Sequence, residues 1–453
     1  MRQKCLQRMC VSLAGLAAVS LQALAQAPPP SVKLLHNFRT TGLPALGAEV
    51  NPGEFLGITE IGAVIFAISS SGKYQTVYTF PPQPQGNDYT PTSPIQALNA
   101  NAYGVARLSG PVAVGELFSV GAHGAVTTVP YNGIAPTFLV QSPDNQLYTF
   151  TGSTGTIAVF SRLDYQGNIT PLYTLSAGQG VPYGAFFYGS DGAFYGFNLL
   201  PSQVDGGIWR LTRNGSFSWV VPTFPLGKYG LYYPNVVIQA GNGKFYGTTP
   251  QGGSANAGTI YEATPDGQFR TLYEFQDLQT GIPETLLQAS DGMLYGTARG
   301  LFAAGFTGYS SLFRLDPSSG QFKTLLAFKS GFAVQCECGL SQGSDGKLYG
   351  SSASGGTYGA GTLFVIDLGL PKPQPVISLF SPKSGVVGQK VLLWGRNLLG
   401  ATAVSFHGTG ATSFVVASGQ GVWVQVPSGA TTGPITVTTP NGSYTTTQSF
   451  TVH

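Results

Sequence analysis

The phrase Gly243-Lys-Phe-Tyr-Gly247 decides the fold, because it recurs along the chain at a nearly constant spacing. Two close copies are Gly292-Met-Leu-Tyr-Gly296 and Gly346-Lys-Leu-Tyr-Gly350, and weaker copies precede them. If the tyrosine or its equivalent is taken as the marker residue, the copies lie 45 to 54 residues apart, at Leu56, Tyr103, Tyr148, Tyr195, Tyr246, Tyr295 and Tyr349. Self-similarity at a fixed period is the signature of a repeat architecture. The sequence therefore contains seven units of one kind.

Each unit is predicted to be a four-stranded antiparallel sheet. In the copy around Tyr246, short apolar or alternating runs at 236–240, 244–248, 258–263 and 270–275 are separated by turn residues, which is typical of strands. The turns Gly241-Asn-Gly243 and Pro265-Asp-Gly267 supply the positive φ angles that hairpins need.

A count of strands predicts how the units close on one another. The first three strands occur seven times, but a fourth-strand phrase follows only six of them. The missing strand lies at the other end of the chain, where Lys33-Leu-Leu-His-Asn-Phe38 matches Thr271-Leu-Tyr-Glu-Phe275. An N-terminal strand that completes the last sheet seals a ring and removes an exposed edge. We therefore expect an all-β protein, with a seven-bladed β-propeller of four-stranded blades over residues 31–368.

The pattern changes after the proline-rich linker 369–375, which contains Leu370-Pro-Lys-Pro-Gln-Pro375. Alternating runs with Gly and Pro turns follow at 375–385, 388–398, 404–408, 422–427 and 433–438. These runs predict an immunoglobulin-like β-sandwich over residues 376–453.

Two family resemblances follow from these residues. The repeats at 31–370 resemble the glycine-rich GloVer-type tandem repeats of exported bacterial proteins, the choice-of-anchor group, most clearly in the last four copies. Kelch repeats share the period, but their spaced Tyr and Trp pair is absent. Residues 376–453 resemble an IPT/TIG domain, which implies a spacer or binding appendage. Neither resemblance implies a catalytic residue or a cofactor, so no cofactor is expected.

The N-terminus predicts export. Arg2, Lys4 and Arg8 precede an apolar run that is too short to anchor the chain in a bilayer. The small residues of Ala23-Leu-Ala25 have the spacing of a cleavage site, and Pro28 disfavours cleavage after Ala27. We expect a signal peptide at 1–25 and a secreted or cell-surface protein, periplasmic or extracellular, with no membrane span.

The composition excludes some partners. Without the leader, 19 Lys and Arg residues balance 19 Asp and Glu residues, so the mature chain offers no basic surface for nucleic acid. Charged residues make up only 9% of the chain, whereas aromatic residues make up 12%. Aromatic content of this size argues against disorder and for a packed β protein. We expect a monomer.

Histidines and repeated aspartates are the first candidates for chemistry. His36, His123, His407 and His453 lie in separate predicted elements and form no metal set. The Asp-Gly pairs allow two interpretations, calcium ligands or hairpin turns, and a single carboxylate in each loop favours turns. These pairs begin at Asp191, Asp266, Asp291 and Asp345. The sequence predicts no catalytic residue and no metal site.

Cys336 and Cys338 are the only cysteines of the mature chain. In an oxidising compartment they are a disulfide candidate, although the closed loop would be very small and strained. Free thiols, or a metal or redox role, are the alternatives that stay open.

The loop lengths predict which face binds. Short Asn-Gly or Asp-Gly turns lie on one side of the ring, and longer, variable connections lie on the other, where ligand-binding residues concentrate. The longer connections contain Tyr229, Tyr232, Tyr233, Tyr309 and Tyr358. These side chains suit stacking on sugars or packing on a protein, or they only wedge between blades.

The expected function is that of an exported, non-catalytic binding or surface-interaction protein that engages a glycan or a protein. The alternative is a secreted carbohydrate-active hydrolase or lyase with its site in the channel, an analogy with other propellers.

Overall fold

A computed structural model describes residues 30–453, apart from 41, 83–88, 109–114, 122–123, 132–135, 137, 153–157, 201–205, 225–235, 278–280, 301–309 and 329–337. The fold of these residues is all β. A single-turn 3-10 helix at Ala177–Gln179 is present, and no α-helix occurs in the described part of the chain. The predicted signal peptide at 1–25 lies outside the described residues.

The first half of the repeat region follows the predicted strand pattern. Its strands are β1 Ser31–Asn37, β2 Pro44–Asn51, β3 Glu54–Thr59, β4 Val64–Ser69, β5 Tyr74–Thr79, β6 Tyr89–Pro91, β7 Ile95–Gln96, β8 Ala102–Leu108, β9 Gly115–Val120, β10 Val126–Pro130, β11 Val140–Gln141, β12 Leu147–Thr151, β13 Val159–Leu163 and β14 Ile169–Thr174.

The second half contains the copy from which the strands were predicted. Its strands are β15 Val181–Tyr188, β16 Ala193–Leu199, β17 Gly206–Thr212, β18 Phe217–Val221, β19 Val236–Gln239, β20 Phe245–Thr249, β21 Thr259–Ala263, β22 Phe269–Glu274, β23 Ile282–Pro283, β24 Leu287–Gln288, β25 Leu294–Arg299, β26 Ser311–Leu315, β27 Phe322–Ala327, β28 Cys338–Gln342, β29 Leu348–Ser352 and β30 Thr362–Asp367. Strands β19 to β22 agree with the predicted runs to within one residue at each end.

The repeats form antiparallel sheets whose strands neighbour one another in chain order. Within the described residues these are sheet 1 (β2–β5), sheet 2 (β6–β10), sheet 3 (β11–β14), sheet 4 (β15–β18), sheet 5 (β19–β22), sheet 6 (β23–β27) and sheet 7 (β28–β30 with β1). Sheets 2 and 6 have five strands, because two short strands pair with the same edge of β8 or β25.

The N-terminal strand completes the last sheet, as the strand count predicts. Strand β1 pairs antiparallel with β30, and the register places Val32 opposite Ile366 and Leu34 opposite Phe364. The backbone N–H of Phe38 extends the pairing with a hydrogen bond of 3.1 Å to the carbonyl of Gly361. The edge of β30 is therefore covered by the chain's own beginning.

The marker phrase also explains how the sheets stack. Successive side chains of a strand point to opposite faces, so the marker residue packs toward the following sheet and the residue before it packs toward the preceding sheet. The buried pairs, from sheet 1 onward, are Leu56 with Ala102, Tyr103 with Leu147, Tyr148 with Phe194, Tyr195 with Phe245, Tyr246 with Leu294, and Tyr295 with Leu348.

The last sheet packs against the first in the same way. Tyr349 of sheet 7 and Phe55 of sheet 1 share a buried cluster, with their ring centroids 4.4 Å apart. The core of the repeat region is therefore a series of layers between sheets rather than one central core.

The C-terminal part is a two-layer sandwich. Its strands are β31 Val376–Ser381, β32 Ser384–Gly385, β33 Lys390–Arg396, β34 Ala403–Phe406, β35 Thr409–Gly410, β36 Phe414–Ser418, β37 Gly421–Gln425, β38 Gly433–Thr439 and β39 Gly442–Val452. One sheet has the order β31-β33-β37-β36 and the other β32-β39-β38-β34-β35. Leu393 and Val422 from the first sheet and Ile435 and Phe450 from the second meet in one buried core.

Candidate functional site

The sheets define two faces of the repeat region. The turns between first and second strands lie on one of them, here called the short-turn face; in the turn 241–243, for example, Gly243 adopts a φ of 80°. The opposite face, here called the loop face, carries the connections between second and third strands and between sheets. The first strand of each sheet runs from the loop face to the short-turn face.

The C-terminal sandwich docks on the short-turn face. The backbone N–H of Gly419 donates to Oε1 of Gln96 at 3.1 Å, and Nε1 of Trp423 donates to the carbonyl of Leu98 at 3.0 Å. On the far side of the contact, Nδ2 of Asn441 donates to the carbonyl of Ser344 at 2.7 Å. These hydrogen bonds therefore hold the sandwich against the ends of sheets 2 and 7.

An apolar contact supports these hydrogen bonds. Leu98 of the repeat region is buried with Leu392, Trp394 and Ala417 of the sandwich, and Tyr188 of sheet 4 packs on this cluster. A Cβ at Gly421 would overlap the Leu98 side chain, so the absence of a side chain there makes room for Leu98. Burial of side chains of this size stabilises the docked arrangement by about 2 kcal/mol each.

A repeated hydrogen bond joins neighbouring sheets at this face. In each case the donor is the backbone N–H of the residue five positions before the marker of one sheet. The acceptor is the side chain of the residue seven positions before the marker of the next sheet. This bridge forms at four junctions, from Ser190 to Gln239 (2.9 Å), Gly241 to Gln288 (2.8 Å), Ser290 to Gln342 (2.8 Å) and Ser344 to Glu49 (2.8 Å). The last of these bridges links sheet 7 to sheet 1.

Among the described residues, the bridge is not formed at the junctions between sheets 1 and 2, 2 and 3, and 3 and 4. Gln96 uses its Oε1 for Gly419 instead. Leu98, at the donor position of sheet 2, is inserted into the sandwich contact, and Oε1 of Gln141 is buried without a partner among the described residues. Pro143, at the donor position of sheet 3, has no N–H, and Tyr188 replaces glutamine at the acceptor position of sheet 4.

A cavity of about 820 Å³, here called the chamber, lies between the first strands of sheets 1 to 4 and the sandwich. Ser418, Gly419 and Gln420 of the sandwich form its floor. Glu60, Arg107 and Phe138 line its loop-face end, and all three side chains are exposed. The chamber is therefore lined by the sandwich at one end and by exposed side chains at the other.

The charged groups of the chamber differ in their partners. Oε1 of Glu49 accepts hydrogen bonds from the N–H of Gly53 (2.6 Å) and Oγ of Ser344 (2.7 Å), and Oε2 accepts one from the N–H of Ser344. Glu49 is therefore held in a structural role. The side chains of Glu60 and Arg107 form no hydrogen bond or ion pair with the described residues. Both lie near the loop face, Glu60 with a negative charge and Arg107 with a positive charge.

The tyrosines predicted to bind lie mostly outside the described residues. This is the case for Tyr229, Tyr232, Tyr233 and Tyr309. Tyr358 is described, is 53% exposed, and lies under the guanidinium of Arg39 at 5.6 Å.

Sequence reasoning missed three exposed apolar side chains on the loop side of the repeat region. Tyr183 (44% exposed) and Phe138 (40% exposed) belong to or precede first strands, and Ile61 lies in the turn after β3. Strand alternation predicts that apolar residues of this kind lie in the core. The one sequence signal of their exposure is that they lie near the ends of strands.

The repeated aspartates act within their turns. Asp191, Asp291 and Asp345 each accept a hydrogen bond of 2.8 or 2.9 Å from the marker tyrosine four residues later, and Asp144 accepts one of 2.7 Å. The other carboxylate oxygen accepts the backbone N–H two residues on. Asp266 lies in a turn between third and fourth strands, before Gly267 with a φ of 90°.

The hydrogen bond between Tyr195 and Asp191 shifts the pKa values of both partners. Burial and the hydrogen bond to Asp191 raise the pKa of Tyr195 to about 12. Burial alone would raise the pKa of Asp191, but hydrogen bonds from Tyr195 and Arg210 hold it below its ordinary value. The marker tyrosine is thus both a core residue and the hydrogen-bond donor that orders its own turn.

The remaining candidates are dispersed. His36 stacks on Tyr74 with ring centroids 3.9 Å apart, and burial lowers its pKa. Nδ1 of His407 lies 2.9 Å from Oγ1 of Thr431 in the sandwich. His123 and Cys336 lie outside the described residues, and Cys338 begins β28. Within the described ranges, no cluster of three or more His, Cys, Asp or Glu side chains is placed to hold a metal ion.

Solved structures resemble this chain in fold. A streptogramin B lyase structure is 14% identical, with a TM-score of 0.54, over 75% of this chain and 98% of the lyase chain. A fungal alcohol oxidase of the AA5 family, in complex with copper, is 12% identical, with a TM-score of 0.50, over 94% of this chain and 99% of the oxidase chain. At these identities the likeness shows the fold alone, a propeller-like all-β architecture. TolB from Acinetobacter baumannii, 14% identical over 64% of this chain and 65% of its own, has a TM-score of only 0.38.

No curated protein matches the sequence. Among the described residues, no helix has the length and apolar character needed to cross a membrane. The model of the Gloeobacter/Verrucomicrobia repeat matches residues 182–414, just over half of the chain. This chain therefore belongs to the Gloeobacter/Verrucomicrobia repeat family.

Proposed function

We propose that this is an exported, non-catalytic binding protein whose loop face engages a glycan or an extracellular protein. One observation carries the proposal. Ile61, Phe138, Tyr183 and Tyr358 are the exposed large hydrophobic side chains of the described repeat region, and all four lie on the loop side. The sandwich occupies the opposite face, so the loop face is the one that these side chains leave apolar and open to a partner.

The proposed architecture is a seven-bladed β-propeller over residues 31–368, closed by the N-terminal strand. The pairing of β1 with β30 and the packing of Phe55 on Tyr349 support it. The bridge from Ser344 to Glu49 adds a hydrogen bond at the same junction.

The C-terminal sandwich is proposed to be an immunoglobulin-like IPT/TIG domain over 376–453, joined by the linker 369–375. Its two sheets around one core support this assignment. Because it docks on the short-turn face, its role in the binding protein is to cap one end of the propeller rather than to swing freely.

The leader at 1–25 supports export, and the protein is proposed to act as a monomer that is secreted or held at the cell surface. Binding is preferred over a hydrolase or lyase activity because, of the two carboxylates that line the chamber, Glu49 has its oxygens engaged by Gly53 and Ser344, which leaves only Glu60 to face a substrate. A glycosidase needs two carboxylates that face the substrate.

The test is a glycan array together with a pull-down, both with the mature chain 26–453. Substitution of Tyr183, Tyr232, Tyr309 or Tyr358 by alanine should weaken capture at least tenfold for one or more of the four. Val415→Ala, which removes an exposed side chain of the sandwich, is the matched control and should change nothing. The proposal is wrong if neither assay finds a ligand, or if all four tyrosine variants bind as the parent does.

A further inference from the structure

We propose that the chamber is a sugar-binding site that takes the end of a neutral oligosaccharide from the loop face, with the sandwich as its floor. This inference rests on the proposed binding function and assigns it a site and a ligand class. The size of the cavity, about 820 Å³, lies within the range of about 300 to 1,000 Å³ that is common for sites of small ligands.

The floor is held firmly enough to form part of a site. The N–H of Gly419 bonds to Gln96 of the repeat region, while its carbonyl accepts the N–H of Leu398 at 2.9 Å. The carbonyl of Gln420 accepts the N–H of Gly395 at 2.8 Å. Hydrogen bonds on both sides thus fix the backbone at this point, and Gln420 lines the chamber from this fixed segment.

The lining chemistry matches sugar hydroxyls. Each hydroxyl both donates and accepts, and the chamber offers a carboxylate at Glu60, a guanidinium at Arg107 and an amide at Gln420. At the loop-face end, which Glu60 and Arg107 also line, Phe138 supplies an exposed aromatic ring suited to the C–H face of a sugar ring.

The charge of the lining disfavours an acidic ligand. The carboxylates of Glu49 and Glu60 and the guanidinium of Arg107 sum to one net negative charge, because the donors that bond to Glu49, from Gly53 and Ser344, are uncharged. An acidic sugar polymer would place its carboxylates near Glu60 without a surplus of cations to offset them.

Gly419 provides a sharp test. Gly419 lines the floor of the chamber, a Cβ added there meets no atom within 4 Å, and its φ is not positive, so Gly419→Trp should place an indole ring at the floor without straining the backbone. Gly410→Trp is the matched control. Gly410 lies in β35 of the same sandwich, a Cβ there also meets no atom within 4 Å, and it does not line the chamber.

Isothermal titration calorimetry should compare the mature chain and its variants with cellohexaose, xylohexaose, mannohexaose and maltohexaose, and with hexagalacturonate as the acidic probe. We expect at least one neutral hexasaccharide to bind more tightly than hexagalacturonate. Gly419→Trp should weaken it at least 20-fold and Phe138→Ala at least tenfold, while Gly410→Trp should stay within twofold. Both tryptophan variants should keep the parent's melting temperature.

Equal affinities of Gly419→Trp and the parent would overturn the chamber site but leave loop-face binding intact if the tyrosine variants still lose capture. Tighter binding of hexagalacturonate would overturn the neutral class alone. If no neutral hexasaccharide binds, the chamber proposal is wrong, and the array and pull-down then decide separately whether the loop face binds anything.

Discussion

The backbone N–H of Ser344 donates a hydrogen bond of 2.8 Å to Oε2 of Glu49, although 295 residues separate the two in the chain. Glu49 occupies the position at which Gln239, Gln288 and Gln342 accept the same bond in other sheets. The residues that form this inter-sheet hydrogen bond recur in the repeat. At the last junction, the same hydrogen bond joins sheet 7 to sheet 1.

Glu49→Ala should lower the free energy of unfolding by about 2 kcal/mol, because hydrogen bonds to a charged group are lost and the Ser344 N–H is left without its acceptor. Glu49→Gln should cost less than about 1 kcal/mol, since glutamine makes the same bridge at three other junctions. Urea denaturation of both variants measures the difference. If Glu49→Ala and Glu49→Gln lowered the free energy of unfolding equally, the hydrogen bond to Ser344 would contribute nothing beyond the negative charge of Glu49.

Removal of residues 31–40 should lower the melting temperature by more than about 5 °C. The deletion exposes the edge of β30 and removes Phe38 together with Val32 and Leu34, which pack in the junctions beside sheet 7. Phe38, which is buried, contributes about 1.5 to 3 kcal/mol, and Val32 and Leu34, which are partly buried, contribute less. Differential scanning calorimetry against a chain that lacks only residues 1–25 provides the control. An unchanged melting temperature would mean that the ring is not closed by this strand.

Glu262 should make stability depend on pH below its ordinary pKa of 4.5. Its carboxylate is buried and accepts hydrogen bonds from Arg270 (2.9 and 3.1 Å), Lys244 (3.0 Å) and Tyr246 (2.9 Å). Burial alone would raise the pKa of Glu262, but these donors lower it to about 2. The folded pKa is thus depressed, so the stabilisation is fully present above pH 4.5 and is lost as the pH falls toward 2.

Glu262→Gln should therefore destabilise the protein by on the order of 1 to 2 kcal/mol at pH 6, with water around Arg270 and Lys244 limiting the effect. The difference from the parent should shrink as the pH falls to 2.5. Chemical denaturation at both pH values measures it, with Glu54→Gln, an exposed carboxylate, as control. A difference that stays constant with pH would contradict the assigned pKa.

Leu98→Ala should loosen the sandwich from the short-turn face. The substitution removes the side chain that packs on Leu392, Trp394 and Ala417, and the lost packing destabilises the contact by about 2 to 3 kcal/mol. A proline-specific protease should then cut the linker 369–375 several-fold faster than in the parent. Val415→Ala, at an exposed position of the sandwich, should leave the rate unchanged. Identical rates for Leu98→Ala and the parent would show that the docking does not depend on Leu98.

Much of the fold could be predicted because it depends on local patterns. Phe245 and Tyr246 are adjacent, so strand alternation sends one to each face and fixes which neighbouring sheet each contacts. The turn residues and the match of Lys33–Phe38 to a fourth strand were equally visible in the sequence. The candidate site was predicted less well, since Tyr183 and Phe138 lie in or next to strands and resemble core residues.

The sequence by itself determined the repeated sheet and its period, because strand alternation and turn chemistry act over a few neighbouring residues. It also determined the pairing of the first strand with the last sheet, because Lys33–Phe38 matches the fourth strand that the last copy lacks. Only the tertiary structure decided which face of the repeat region is covered and where the chamber lies. Those outcomes depend on Gly419 meeting Gln96 and Trp423 meeting Leu98 across more than 300 residues. Contacts between the repeat region and the sandwich arise from the shapes of two different completed units, and neither the repeat nor a local pattern of residue types encodes them.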